Sequence, residues 1–416
     1  MFRYRSQLVF VAGVIGLTLV GGMPAERSAG VRMQSSDSRA HRTLTGFDVY
    51  ESMNSEEFAG KRVGLITNQT GIDSQGYRTL AVFGRNRSVK LVAIFSPEHG
   101  ISGKLDAPIG DTSDPTTGIP IYSLYGVTRR PTDAMLAGID VLIFDIQDAG
   151  VRFYTYITTM AYCMEAAAKR HIPFVVFDRP DPLGGEVIEG PMLDADRTSF
   201  TGYFPMPVRY GMTIGELAQM FNAENKISAD LHVATMENWR RGETYDQTGL
   251  EWIPPSPNLR TLNAEFLYPG IEILQAGGVS VGRGTDTPFE IIGAPWIRSG
   301  DLAEELGRRK IPGVSVAPAQ FTPRDGLYGG EPCQGVTLAI TDRSRLGSMR
   351  VGLEIADALH RMYPGKFQLE KMIELLGSQS TIDRLKRGDS PAEIVSGWSA
   401  DLARFRGMRD KYLLYH

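Results

Sequence analysis

Cysteine is nearly absent from this chain of 416 residues, which holds two, Cys163 and Cys333, far apart in sequence. That scarcity excludes a disulfide-built scaffold and a site of clustered thiolates, so two independent thiols are expected. Histidine is also sparse. None of His41, His171, His232, His360 or His416 stands beside another ligand type, and no His-Glu-x-x-His occurs, so no metal is expected. The Gly-x-Ser-x-Gly elbow is missing, which argues against a serine-hydrolase triad. Neither phosphate-loop nor dinucleotide glycine patterns occur, so no nucleotide cofactor is expected. Dense basic runs are lacking beyond Arg308-Arg309-Lys310, and the formal net charge is -4, which speaks against nucleic acid as a partner.

Long apolar runs are missing too. The longest, Leu8 to Val20, follows Arg3 and Arg5 and precedes Gly21, Gly22 and Ala25. It falls short of the roughly 20 residues of a membrane span, and its pattern predicts a secretory signal peptide over residues 1–25. The Ser-, Arg- and Gly-containing stretch 26–45 reads as a disordered leader. An exported protein, periplasmic or secreted, is expected, without a stable membrane span after cleavage. The length of the remainder favours two domains.

What is present is a rhythm. Apolar strands are predicted at Arg62 to Thr67, Lys90 to Phe95, Asp140 to Ile146 and Pro173 to Phe177, with helices at Tyr77 to Gly84, Pro131 to Ala137 and Thr155 to Arg170. Such alternation predicts a parallel α/β sheet. Its strand-end loops are Asn68-Gln69-Thr70-Gly71, Ser96-Pro97-Glu98-His99-Gly100, Asp145 to Gly150 with Arg152, and Asp178 to Gly185. Parallel strands bring these loops to one sheet edge, where ligands of open α/β sheets collect. Glu98 alone reads equally as a turn cap or a reactive acid; the converging loops favour the acid.

Further along, a helix is expected at Thr213 to Glu224 and a strand at Leu231 to Thr235, before the rigid crossing Pro254 to Asn258. A smaller α/β domain is expected over 286–416, after a larger one over 46–285. Its markers are a helix at Asp301 to Arg309, strands at Val314 to Phe321 and Gly335 to Thr341, and helices at Leu346 to Met362, Lys366 to Leu376 and Pro391 to Tyr412. Between the two lies Gly282-Arg283-Gly284-Thr285. Arg283 there suits either a carboxylate clamp or a surface turn. The aromatic group Tyr122, Tyr125, Phe153, Tyr154 and Tyr156 suits a core or, beside a polar cleft, a sugar platform, the latter chiefly for Tyr154 and Tyr156.

Taken together, Gly64 to Gly71, Ser96 to Gly100, Phe144 to Tyr156, Asp178 to Gly185, Pro255 to Asn258 and Gly282 to Thr285 resemble the NamZ-type exo-β-N-acetylmuramidase family. The likeness runs from about Gly60 to Tyr415. It implies a Rossmann-like domain with a smaller C-terminal α/β domain, an active cleft between them, and release of terminal N-acetylmuramic acid from the non-reducing end of peptidoglycan fragments. Glu98 is then the leading catalytic candidate.

Glycoside hydrolysis needs a proton donor for the leaving oxygen, and Glu98 is that acid in this reading. Asp148, then Asp145 and Asp178, are candidates for a second carboxylate acting as nucleophile, water-activating base or stabiliser of an attacking acetamido group. The lactyl carboxylate of the sugar could meet Arg152, Arg179 or, preferably, Arg283. Asn68, Gln69, Thr70, His99, Gln147, Tyr154, Tyr156, Asn258 and Thr285 complete the expected substrate contacts.

Overall fold

The computed structural model describes residues 42–53, 56–105 and 110–416. The expected signal peptide and residues 26–41 of the expected leader lie outside these. The last leader residues are part of the fold: Leu44 bridges to Glu237, and Thr45 caps the helix Gly46–Ser52 through a reciprocal bond with Asp48.

The strands, in chain order, are β1 (Arg62–Thr67), β2 (Lys90–Ser96), β3 (Thr112–Ser113), β4 (Pro120–Ser123), β5 (Val141–Asp145), β6 (Phe174–Phe177), β7 (Glu189–Met192), β8 (Pro207–Arg209), β9 (Leu231–Ala234), β10 (Ile291–Ala294), β11 (Val314–Phe321) and β12 (Cys333–Ile340). The main sheet runs β3-β4-β2-β1-β5-β6-β9 and is parallel except for β3 at its edge. Strands β1, β5 and β6 are buried along nearly their whole length, as continuous apolar runs require when helices cover both faces.

The chain winds outward from β1 through β2 to β4, then returns to β5 on the other side. The sheet therefore has a switch point between β1 and β5, where the loops diverge and leave a crevice. Register fixes what reaches it. Thr67 lies opposite Asp145, and Ser96 opposite Ser123, so Glu98 and Tyr125 each follow their strand's last paired residue by two positions.

A second, antiparallel sheet, β10-β12-β11, carries the helix Ser299–Arg309, and a small pair β7-β8 lies apart from both sheets. The helix Leu262–Gln275, which precedes the expected junction at 285, packs on the helix Ser348–Met362. Contact is backbone to backbone at Gly270 and Gly352, where a Cβ on either residue would overlap the opposing chain.

Some expected elements differ. Residues 131–137 form a single turn, closed by Leu136 N–H to Thr132 O and ended by Gly138 at positive φ, so no helix develops. The expected helix at 366–376 is a 3-10 turn, Leu369–Met372, followed by Ile373–Leu376. The stretch 391–412 breaks at Gly397-Trp398 into Pro391–Ser396 and Ser399–Arg409. Cys163 and Cys333 are free, buried thiols.

Candidate active site

The crevice at the carboxyl ends of β2, β4 and β5 opens into a cavity of about 320 Å³. Glu98 and His99 come from the loop after β2, Phe153, Tyr154 and Thr155 from the approach to the helix Tyr156–Lys169, and Tyr268 and Glu272 from the helix Leu262–Gln275. Arg283, Phe289, Ser256, Tyr125, Arg129 and the segment Ser199–Thr201 complete most of the wall. His99 sits at φ 68°, a conformation uncommon outside glycine, and its Nδ1 lies 2.8 Å from the Leu105 carbonyl oxygen. That turn directs Glu98 into the cavity.

Glu98 is half-buried and tethered. Thr155 Oγ1 donates to its Oε2 at 2.6 Å, and the Tyr156 hydroxyl, which donates to Pro255 O at 2.7 Å, lies 3.3 Å from the Glu98 carbonyl oxygen. Thr155 stands at the N-cap of its helix yet makes no capping bond. Across the cavity wall, Arg283 Nη2 donates to Glu272 Oε1 at 2.7 Å, and the Arg283 guanidinium lies 5.4 Å from the centre of the Phe289 ring. Glu98 and Glu272 are the two carboxylates on the wall among the described residues. The Tyr154 and Tyr268 rings meet edge to face at 6.1 Å beside them, and Tyr154 meets Tyr156 at 4.7 Å.

The three aspartates expected as partners of Glu98 lie elsewhere. Asp145, fully buried, takes an ion pair from Arg179 Nε at 2.6 Å and a hydrogen bond from Thr79. Both of its oxygens are thus occupied inside the sheet edge. Asp178 accepts from Thr213, Tyr415 and the amides of Arg179 and Gly215, tying the C-terminus to the helix Ile214–Glu224; burial pushes its carboxyl up to about 7. Asp148 lies behind the wall, where its Oδ2 accepts from Gly150 N–H at 2.9 Å and from Tyr210.

Among the described residues Asp148 Oδ1 has no hydrogen-bond partner, and burial raises this carboxyl to about 6 against the opposing hydrogen bond from Tyr210. Asp181 and Glu265 join it in an acidic group inside the protein. Burial carries Asp181 to about 7 and Glu265 well above the ordinary carboxyl range, and the three repel one another's charge.

Two of the three expected arginines are structural. Arg152 is fully buried and donates to four backbone carbonyls, those of Pro191, Met206, Leu375 and Leu376; burial pushes it down to about 9. Arg179 serves Asp145. Of these three, Arg283 alone reaches the cavity. The expected polar contacts divide likewise. Asn68 Oδ1 accepts from Thr70, Thr70 Oγ1 accepts from Gln147 N–H, Gln147 Nε2 donates to Pro180 O, and Gln69 Nε2 donates to Pro254 O. These four brace the strand-end loops behind the wall. Thr285 closes its own turn onto Gly282 O, and the Asn258 backbone N–H donates to Ser256 Oγ, which lines the cavity.

Family models described as exo-beta-N-acetylmuramidase NamZ match residues 63–263 for its N-terminal part and 266–415 for its C-terminal part. The chain belongs to the NamZ exo-β-N-acetylmuramidase family. It is 41% identical over 409 residues to the peptidoglycan beta-N-acetylmuramidase NamZ of Bacillus subtilis strain 168, covering 97% of this chain and 99% of that one. Two crystal structures of DUF1343 family proteins from Bacteroides fragilis share the fold, with TM-scores of 0.83 and 0.71 at 38% and 32% identity; each match covers 90% of this chain and 99% of the other.

In this NamZ-family chain the wall residues unanticipated by motif are Arg129, Ser199, Phe200, Thr201, Tyr268, Glu272, Phe289 and Leu375. Most lie on elements that no short pattern announces. Tyr268 and Glu272 sit on a helix interrupted in sequence by Pro269-Gly270, a pair that ordinarily argues against a helix there. Their four-residue spacing, one helical turn, was the signal that they share a face.

Proposed function

We propose that this chain hydrolyses the glycosidic bond of N-acetylmuramic acid at the non-reducing end of peptidoglycan fragments, with Glu98 protonating the leaving oxygen. The observation that carries this reading is the pair of wall carboxylates, Glu98 tethered by Thr155 and Glu272 held by Arg283, within one aromatic-lined cavity. Glycoside hydrolysis generally requires two such groups, one acidic and one that supports the developing positive charge or activates water. A volume near the small end of ligand pockets suits a terminal sugar better than a strand lying across the site.

Glu272 takes the second role, in place of the aspartates that the sheet engages. The curated relative's name as a peptidoglycan beta-N-acetylmuramidase supports the substrate class. Terminal muramyl residues arise when cell walls are cut, so turnover and recycling outside the cytoplasm is the setting, consistent with the basic and apolar pattern of residues 1–25. Disaccharides and longer muropeptides ending in N-acetylmuramic acid are the substrates.

The test is Glu98→Gln assayed for N-acetylmuramic acid released from N-acetylmuramyl-N-acetylglucosamine, with binding followed by calorimetry. Turnover should fall by at least about 100-fold while binding stays within a few-fold. Release near that of the parent removes Glu98 from the acid role. Binding without turnover by the parent itself would make the protein a saccharide receptor.

A further inference from the structure

Arg129 and Arg130 are consecutive, and each guanidinium lies on an aromatic face: Arg129 is 4.3 Å from the centre of the Phe200 ring and Arg130 is 3.4 Å from that of Tyr162. Their ionic surroundings differ. Arg130 is paired with Glu165, which also accepts from the Tyr203 hydroxyl at 2.8 Å. Arg129 turns into the cavity wall, and among the described residues no carboxylate stands within ion-pair distance of it.

Its platform is built. Phe200 is buried, stacks on Tyr125 at 6.1 Å and meets Tyr162 at 6.0 Å. The tight turn that presents it is closed by reciprocal backbone bonds between Ser199 and Gly202. The ring thus supports the guanidinium over its face, where the cation is attracted by the ring's electron density. Arg283 already forms an ion pair with Glu272 on the same cavity at 2.7 Å, so its charge is partnered by an acid before any anion enters. Among the described residues Arg129 meets no such competing acid, and it is exposed at the cavity mouth.

We propose that Arg129, stacked on Phe200, is a specificity-determining residue that receives a substrate carboxylate at the mouth of the cavity. This rests on the muramidase reading above, in which the ligand carries a lactyl carboxylate. That group can come from the terminal sugar or from the next muramyl residue along the glycan. Planar two-point bonding to a carboxylate is what a guanidinium offers and an ammonium does not.

Parent, Arg129→Ala and Arg129→Lys would be compared on three substrates: N-acetylmuramyl-N-acetylglucosamine, its lactyl methyl ester, and a tetrasaccharide with a second, internal muramyl residue whose terminal lactyl group is esterified. If the terminal carboxylate is read, kcat/KM of Arg129→Ala on the acid disaccharide falls by about tenfold or more, while the loss on the ester stays below about twofold. Arg129→Lys should recover only part of the difference. A loss confined to the tetrasaccharide assigns the contact to the internal carboxylate. Equal losses on acid and ester, or no loss on any of the three, overturn the proposal. Should the parent release N-acetylmuramic acid from none of them, the muramidase reading fails instead. Calorimetric binding of N-acetylmuramic acid against its methyl ester then decides the carboxylate question alone: a preference for the acid that Arg129→Ala abolishes upholds it, and equal binding ends it.

Discussion

Thr155 donates a hydrogen bond of 2.6 Å to Glu98 Oε2 from the N-cap position of a helix that its side chain leaves uncapped. A threonine at that position ordinarily turns its hydroxyl to the backbone N–H groups of the following turn, worth about 1 kcal/mol. Here the local rule yields to the site, which is where such exceptions concentrate. Thr155→Val should therefore cut kcat by about 10- to 100-fold, the range set by about 1.5–3 kcal/mol for a bond to an ionisable group. Thr155→Ser should keep most of the rate. Steady-state kinetics beside melting curves checks this: equal loss in the serine variant, or a melting shift that accounts for the lost activity, defeats the positioning role.

Glu272→Gln tests the second carboxylate. The substitution keeps shape and one acceptor for Arg283 but removes the charge. Release of N-acetylmuramic acid should drop by about 100-fold or more, comparable with Glu98→Gln. Glu265→Gln, seven residues earlier on the same helix, fully buried and off the cavity wall, should remain within a few-fold of the parent. A Glu272→Gln enzyme with a tenth or more of parental activity would leave the second role without a holder on the wall.

Much of the sheet was legible. Strands β1, β2, β5 and β6 stand within a residue of expectation, because a parallel strand covered on both faces is a bare apolar run with a polar stop. The same logic found the edge where Glu98 sits. Asp145, Asp148 and Asp178 lie off the cavity wall for a physical reason: an aspartate at or just beyond a strand end can turn inward to an arginine, a tyrosine or a helix amide, and composition does not reveal which. Arg152 and Arg179 lie off the wall likewise, since their partners are backbone carbonyls for the one and the β5 carboxylate Asp145 for the other. Glu272 stayed hidden behind Pro269, which reads as a helix breaker until the packing at Gly270 is known.

Asp148 offers a pH test. Its folded carboxyl titrates at about 6, above the ordinary 3.8 expected when unfolded. The folded state therefore holds a proton that the unfolded chain gives up, so this group's contribution to stability is complete below about pH 4 and is lost as pH rises through about 6. Asp148→Asn removes the titration while its side-chain oxygen can still accept from Gly150 and Tyr210. Relative to the parent, the variant should gain about 2 kcal/mol between pH 4.5 and pH 8. Urea unfolding at the two pH values measures it, and parallel stability curves would refute the assignment. Activity at neutral pH should stay within a few-fold; a collapse would return Asp148 to the catalytic pair.

Gly352→Ala weighs two opposed effects. Alanine favours a helix over glycine by about 1 kcal/mol, so an open site would gain stability. The added Cβ, however, would overlap the Gly270 carbonyl oxygen on the neighbouring helix, a backbone atom with no side-chain freedom to move aside. Overpacking of that kind costs about 1–3 kcal/mol, and here the helix carrying Tyr268 and Glu272 must shift to relieve it. The expected outcome is a lower urea midpoint together with reduced activity. Gly300→Ala and Gly307→Ala, on the helix Ser299–Arg309 where a Cβ meets nothing within 4 Å, should instead leave both unchanged or raise stability slightly. If Gly352→Ala behaves like these two controls, the close approach of the two helices does not hold the Glu272 wall in place.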